Sequence, residues 1–443
     1  MTKIGLTDDR IKQIESDMKK TAGILKEKLE KEPNIEINGI THNDCDGIAS
    51  RGILESALKR EKRGLKINYY YLERSYQNVI EKILKEKEGI IIISDFGAQK
   101  AKRIEDINNS LPKKNLVICI DHHIDKKPAA AFNKGDGFYP ISCGRYGIYG
   151  DCEASAATLA FGFAMALNYA NVDLSRMAVV GQYGDGLHLK HSVDGEQRRF
   201  IGYALDAFHL AQDHGMSFDY KRGYVLSIRG REMPLSLMTD YLDCLMSVGY
   251  HDDEAREIAL ALLDAKDIGH IPEKINKLDE LKKEIFENEK TRSRKTDYWV
   301  SRRNTQFFDV EDRFAPMGVK TVGLYAGELA DKHTRGKRVL IEDDKYVIGA
   351  QNISEEVPGL GRAIEPGKIK VSVRTPYKVR RGIETGKLPE VFEIMKGCVK
   401  SHELGSCHAE RGACDIDRND LYGKGGFLDR FEEYTKDYKK ANP

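Results

Sequence analysis

Asp121, His122 and His123 follow directly on the apolar run Leu116-Val117-Ile118-Cys119-Ile120. A short buried-strand pattern ending in three metal-competent side chains sets them at the carboxyl edge of a sheet, where open α/β folds place their ligands. The pattern recurs. Gly39-Ile40-Thr41 leads into His42-Asn43-Asp44-Cys45-Asp46-Gly47, Ile90-Ile91-Ile92-Ile93-Ser94 into Asp95, and the apolar run Met177-Ala178-Val179-Val180-Gly181, after a short turn, into Asp185. A lone Asp at a strand end commonly caps a helix. Four apolar segments that each deliver an acid or a histidine point instead to a converging metal site.

The chemistry follows from the residue types. His42, Asp44 and Asp46 alternate at i, i+2 and i+4, so an extended strand end would project all three to one side. Gly47 would permit the tight turn that follows, and a helix N-terminus beyond it favours an anion. Asp95 can bridge two cations because a carboxylate has two oxygens. His122 adds a nitrogen and Asp185 another carboxylate. A mixed His/Asp set suits Mn²⁺, with Mg²⁺ as the alternative. Two such ions would activate a hydroxide and neutralise a phosphoryl transition state.

Several elements must position these groups. Residues 8–31 read as an amphipathic helix capped by Thr7, with Ile11, Ile14, Met18, Ile24, Leu25 and Leu29 as its apolar face. Strands are expected at 35–41, 67–72, 89–94 and 115–120, and helices near 47–60, 75–86 and 99–108. Alternation of this kind predicts a mainly parallel sheet covered by helices. Further helices are expected at 153–169 and 195–213, and a helical stretch over 235–292. A basic segment at 290–303 follows, whose Tyr298 and Trp299 could stack bases between arginines. A second α/β region has strands near 319–325, 337–341, 345–350 and 368–374, with helices near 389–399 and 426–439.

The 443 residues exceed one ordinary core. The expected division is an N-terminal helix (1–33), an α/β domain with a mainly parallel sheet (34–215), a helical connector (216–299) and a smaller α/β domain (300–443). A composition of 40% hydrophobic and 32% charged residues excludes a disordered chain, and a net charge of +1 means that nucleic acid could be held only by a local basic groove. The eight cysteines contain no CxxC pair, so they read as free thiols rather than a structural zinc site. No apolar run reaches the ~18–20 residues of a membrane helix, and the charged N-terminus does not read as a signal peptide. The expected location is the cytoplasm, with no membrane partner.

With these residues in view, the chain resembles the DHH phosphoesterase superfamily, named after the Asp-His-His triplet. His42 to Gly47 match its His-x-Asp-x-Asp-Gly motif, Asp95 its lone strand-end Asp, Asp121 to His123 its triplet, and Asp185 its turn-closing Asp. Length and the second domain are most similar to RecJ-like single-strand nucleases of the archaeal type. The resemblance implies that His42, Asp44 and Asp95 bind one metal, and that Asp46, Asp95, His122 and Asp185 bind the other. It implies that His123 faces the scissile phosphate and that Asp121 orients a histidine. The C-terminal region resembles the DHH-associated domain, with Arg374 reading a phosphate. Its glycine-rich turn departs from the family as Gly405-Ser406-Cys407-His408, where Gly405 and His408 remain candidate substrate contacts. Lys378, Arg380 and Arg381 could line the same groove.

The function expected from this is a two-metal phosphodiesterase, a single-strand-specific exonuclease acting on DNA or RNA from an end. Short oligonucleotides or cyclic dinucleotides are the alternative substrates. A replisome-associated scaffold with little or no activity is the alternative of another class. An active enzyme could also dock on a protein partner of the replication complex.

Overall fold

The computed structural model describes residues 9–442 except 75, 124–136, 151, 188–201, 220, 229–230, 265–270, 295–297, 333–340, 401–403 and 408. The chain divides into two compact units. One comprises Met1–Met246, Asp252–Ile275 and Val357–Leu360, and the other Ser247–His251, Asn276–Glu356 and Gly361–Pro443.

The first unit opens with α1 (Asp9–Lys31). It buries Ile11, Ile14, Met18, Leu25 and Leu29, while Ile24 lies half-buried at the edge of that face. The expected alternation follows: β1 (Ile37–His42), α2 (Cys45–Glu61), β2 (Ile67–Leu72), α3 (Gln77–Glu86), β3 (Ile90–Ser94), α4 (Ala101–Ser110) and β4 (Leu116–Asp121). A fifth strand, β5 (Phe138–Ser142), is not evident in the sequence because Gly137 and Pro140 break its apolar pattern. All five strands are parallel in the order β2-β1-β3-β4-β5. Helices cover both faces of such a sheet, which is why Ile90–Ile93 are continuously apolar and fully buried. The strand order reverses at β1. One crossover leads out to β2 and the next returns past β1 to β3, so the carboxyl ends of β1 and β3 flank the topological switch point.

Next come α5 (Ala156–Leu167), α6 (Ser175–Gly184) and α7 (Gly202–Gln212). Ser155 caps α5 through a reciprocal box with Thr158. The run Met177–Gly181, read as strand-like, belongs to α6. A five-residue apolar stretch cannot separate a buried helix from a strand, and α6 is buried by packing on α2 and α5. Residues 216–234 form a small antiparallel sheet, β6 (Met216–Asp219), β7 (Gly223–Ile228) and β8 (Arg231–Pro234). Only then does the expected helical stretch begin, as α8 (Leu235–Asp243), a π-turn over Cys244–Val248, α9 (Asp253–Leu263) and α10 (Ile271–Arg292).

The second unit is built on a six-stranded sheet. Its strands are β9 (Val300–Ser301), β10 (Thr305–Asp309), β11 (Tyr346–Asn352), β14 (Lys368–Arg374), β15 (Leu404–Cys407) and β16 (Arg411–Asp417), and β12 (Glu356–Val357) and β13 (Gly361–Arg362) intervene in sequence. The sheet order is β15-β16-β14-β11-β10-β9, with only β10 and β11 parallel. One face buries Ile369, Val371 and Val373 of β14 against α12 (Tyr377–Glu384), α13 (Val391–Cys398), α14 (Arg418–Tyr422) and α15 (Phe427–Ala441). Helix α11 (Lys320–Lys332) lies over β14 and β11. The strand expected at 319–325 is therefore the start of α11. Val322, Tyr325, Ala326, Leu329 and Ala330 are its buried stripe, spaced i, i+3, i+4, i+7 and i+8. A seven-residue window ending at 325 hides that period. The strand expected at 337–341 lies, apart from Ile341, outside the described residues.

Tyr298 and Trp299 are half-buried and pack on Phe308. Tyr298 stacks on Phe308 at 5.9 Å between ring centroids, Trp299 meets Phe308 edge-on at 5.3 Å, and the indole N–H donates to the Ser293 carbonyl. All eight cysteines are free thiols, six of them buried.

Candidate metal centre

His42 is the last residue of β1, Asp44 is the extended N-cap of α2, and only Asp46 lies in the first helical turn, off the expected strand face. Asp44 is the N-cap of α2: its Oδ1 accepts from the Gly47 N–H at 3.0 Å. Its Oδ2 lies 2.6 Å from His42 Nδ1. One carboxylate thus caps a helix and faces a histidine at once. Gly47 has no left-handed backbone. It is needed because a Cβ there would overlap the His42 carbonyl.

Asp46 points the other way. Buried on α2, it accepts from the Ala156 N–H at 2.7 Å and the Ala157 N–H at 3.0 Å, at the positive end of α5. Its Oδ2 is 3.9 Å from His122 Nε2. Gly181 of α6 makes this possible, because a Cβ there would stand 2.5 Å from both Asp46 Oδ1 and the Ala157 Cβ.

Asp95 follows β3 with φ +66°, one of two non-glycine residues in the left-handed region among those described. Such a backbone costs about 1–3 kcal/mol and clusters at functional sites. It aims a buried carboxylate with its oxygens apart. Oδ2 is 3.2 Å from His42 Nδ1, and Oδ1 is 3.4 Å from His122 Nε2. His122 Nε2 also lies 3.3 Å from Oδ2 of Asp185, which caps the C-terminus of α6.

The two histidines are fixed by main-chain carbonyls. His42 Nε2–H donates to Glu73 O at 3.1 Å, leaving Nδ1 toward Asp44 and Asp95. His122 Nδ1–H donates to Gly150 O at 2.8 Å, leaving Nε2 toward Asp46, Asp95 and Asp185. Hydrogen bonds of this kind set the tautomer of metal-binding histidines. Gly150 was not singled out from the sequence. A Cβ at 150 would overlap the His122 carbonyl, so Gly150→Ala is expected to displace His122 and weaken Mn²⁺ binding about 10–100-fold, read by calorimetric titration.

Asp121, the last residue of β4, is fully buried. Its Oδ2 accepts from the Ala98 N–H at 2.8 Å, and its Oδ1 faces His123 Nδ1 at 2.7 Å. Burial alone would raise its pKa, but His123, His122 and the Ala98 N–H hold it down to about 2. His123 stays partly exposed, its ring 4.4 Å from that of His122.

Three overlapping groups here could each hold a metal ion: His42/Asp44/Asp95, Asp46/His122/Asp185 and Asp95/His122/His123. The donor set fits a divalent cation. Burial, then the neighbouring Asp95 and Asp185, push the Asp46 carboxyl well above its ordinary range. Burial opposes a charged His122, but Asp185, Asp95 and Asp46 outweigh it and push its pKa well up. The cluster therefore calls for positive charge, and oxygen donors with imidazole suit Mn²⁺ or Mg²⁺.

Residues 35–180 match the family described as "DHH family, N-terminal domain". The first unit carries a DHH-family domain. An uncharacterized protein of Methanocaldococcus jannaschii is 29% identical to this chain over 180 residues, which are 40% of this chain and 38% of that protein. The match thus spans well under half of the curated relative. The fold is RecJ-like. Thermus thermophilus RecJ in complex with Mn²⁺ superposes with TM-score 0.56 at 16% identity, covering 95% of this chain and 55% of RecJ. A DHH-domain structure described as a member of a family of ribosomal proteins gives 0.61 at 13% identity, covering 98% and 94%. Entamoeba histolytica CDC45 gives 0.51 at 10%, covering 95% and 99%. The family and the acidic clusters support a metal-dependent phosphoesterase. No helix among the described residues is long and apolar enough to cross a membrane.

The candidate substrate residues belong to the second unit. Arg374 ends β14 half-buried, and its guanidinium rests on Gly323 and Gly327 of α11. Gly405 lies on β15, where the register with β16 shifts between Leu404 and Cys407. His408 lies outside the described residues. Lys378, Arg380 and Arg381 pair with Asp343, Asp331 and Glu384.

Proposed function

We propose that this DHH protein is a two-metal phosphodiesterase that removes nucleotides from an end of single-stranded DNA or RNA. The observation that carries this reading is Asp95, whose two oxygens each face a different histidine. His42, Asp44 and Asp95 would hold one ion, and Asp46, Asp95, His122 and Asp185 the other. Bound Mn²⁺ or Mg²⁺ would supply Lewis acidity at a phosphoryl oxygen and a water of lowered pKa.

The chain's own groups do the rest. His42 and His122 keep their lone pairs turned inward by donating outward to Glu73 O and Gly150 O. Asp121 fixes His123 Nδ1–H, which leaves Nε2 to donate to a phosphoryl oxygen. Asp121 also holds that imidazole toward its charged form: burial lowers the His123 pKa, but Asp121 more than restores it. Arg374 would hold a phosphate of the substrate. The exonuclease named RecJ, solved bound to manganese, is a fold neighbour at TM-score 0.53 and supports the choice of metal.

The test is digestion of single-stranded DNA and RNA labelled at either end, with Mn²⁺ and with Asp46→Ala as control. Stepwise loss from one end, absent in the variant, is the expected result. Hydrolysis confined to di- and trinucleotides would replace long strands by short substrates. No turnover of either would sink the enzymatic reading and leave a scaffold.

A further inference from the structure

The Gly150 carbonyl that holds His122 belongs to a segment, Gly147 to Glu153, which one arginine of α1 ties at both ends. Arg10 Nη1–H donates to the Gly147 carbonyl at 2.7 Å, and Nη2–H donates to Glu153 Oε1 at 3.1 Å. Glu153 Oε2 in turn accepts the Tyr149 N–H at 2.8 Å. The Tyr149 carbonyl accepts from the Cys152 N–H at 3.0 Å and the Glu153 N–H at 2.7 Å. Gly150 lies between these anchored residues and takes the His122 Nδ1–H at 2.8 Å.

The tie is built for geometry more than for stability. The Arg10 and Glu153 side chains are 38% and 16% exposed. An ion pair this open adds little to folding. A planar guanidinium, however, directs its donors at fixed angles, so it sets where residues 147 and 153 stand relative to each other. Gly147 has φ +69°, a conformation that glycine adopts at little cost. A second tie comes from the same helix, where Asp17 Oδ2 accepts from the Tyr146 hydroxyl at 2.8 Å. The segment lies within the residues that match the DHH family, 35–180, whereas α1 precedes them.

We propose that Arg10 is a positioning residue for His122. By fixing the segment from Gly147 to Glu153 it sets the Gly150 carbonyl, and through that carbonyl the imidazole whose Nε2 faces Asp46, Asp95 and Asp185. Ligand groups must be held to within about 0.5 Å of their working geometry, and the ring has no other freedom to spend than rotation about its own side-chain bonds. The inference rests on the metal-centre reading only for what His122 then binds.

The experiment reads the full chain without metal and with it. In EDTA, the ¹⁵N-labelled histidine rings are followed by NMR, with His122→Asn and His42→Asn identifying the two signals. Arg10→Ala is expected to shift the His122 ring signals and leave those of His42 in place, while melting within about 2 °C of wild type. Calorimetric titration with Mn²⁺ is expected to show one ion bound about 3- to 10-fold more weakly, less than the 10–100-fold that follows loss of a direct ring partner, with the other ion changed by less than about twofold. Arg10→Lys, which keeps the charge and loses the fork, should recover part of both effects. An unmoved His122 signal in Arg10→Ala overturns the proposal. So does a wild type that binds two ions and a variant that binds both equally well, or a lowered melting temperature with both histidines displaced alike, which would mark α1 as packing only. A wild type that binds no Mn²⁺, with the His122 signal still displaced in the variant, would remove the metal reading and keep the positioning by Arg10.

Discussion

Asp95→Asn is expected to lower Mn²⁺-dependent phosphodiester hydrolysis by about 10³-fold or more, well beyond the 10–100-fold that an outer-shell loss costs. The isostere keeps one oxygen but turns an NH₂ toward either His42 Nδ1 or His122 Nε2, so it can serve one side of the site and not both. The choice of Asn matters. Residue 95 has φ +66°, and Asn tolerates the left-handed region where Val or Ala would be strained. A melting temperature near that of wild type with activity lost would assign the defect to the carboxylate. Activity within tenfold of wild type would mean that Asp95 is not shared between two ions.

Chelation carries the second large effect. In the metal-free protein, Asp46 and His122 both hold protons more tightly than ordinary carboxyl and imidazole groups. Unfolding releases those protons, from Asp46 above about pH 3.9 and from His122 above about pH 6.5. Each contribution is complete below the unfolded pKa and is lost as pH rises through the folded one, so the stability of EDTA-treated protein should fall as pH rises across the neutral range. Mn²⁺ displaces the protons, so its stabilisation should grow over the same range. At a hundredfold excess over Kd that stabilisation is about 2.7 kcal/mol per site. Scanning calorimetry with EDTA or Mn²⁺ at several pH values reads both slopes, and titration in buffers of different ionisation enthalpy reads the released protons. A melting temperature independent of Mn²⁺ would remove the metal centre altogether.

Much of this was legible in the sequence. The first four strands lie within about two residues of their expected limits, because fully buried parallel strands write themselves as continuous apolar runs. The structure brings His42, Asp44, Asp46, Asp95, His122 and Asp185 together. One motif nonetheless reaches the site by a different geometry from the expected one. His42, Asp44 and Asp46 do not share a strand face, since α2 begins at Cys45 and turns Asp46 toward α5. One side chain can also cap a helix and face a histidine of the site at once, as Asp44 does. The errors at α6 and α11 share a cause: short apolar windows do not reveal whether the period is 2 or 3.6. Tyr298 and Trp299 looked like stacking residues by type, but their position against Phe308 is a packing fact that composition cannot convey.

The way His42 and His122 are held has a consequence for how such sites persist through evolution. Each imidazole hangs on a peptide oxygen, and every residue type has one. Residue 73 could therefore drift without touching this tether, and the glycine at 150 is demanded by room, not by reactivity. What descent must preserve around these rings is the path of the main chain. A comparison of side chains alone would pass over half of the centre's support.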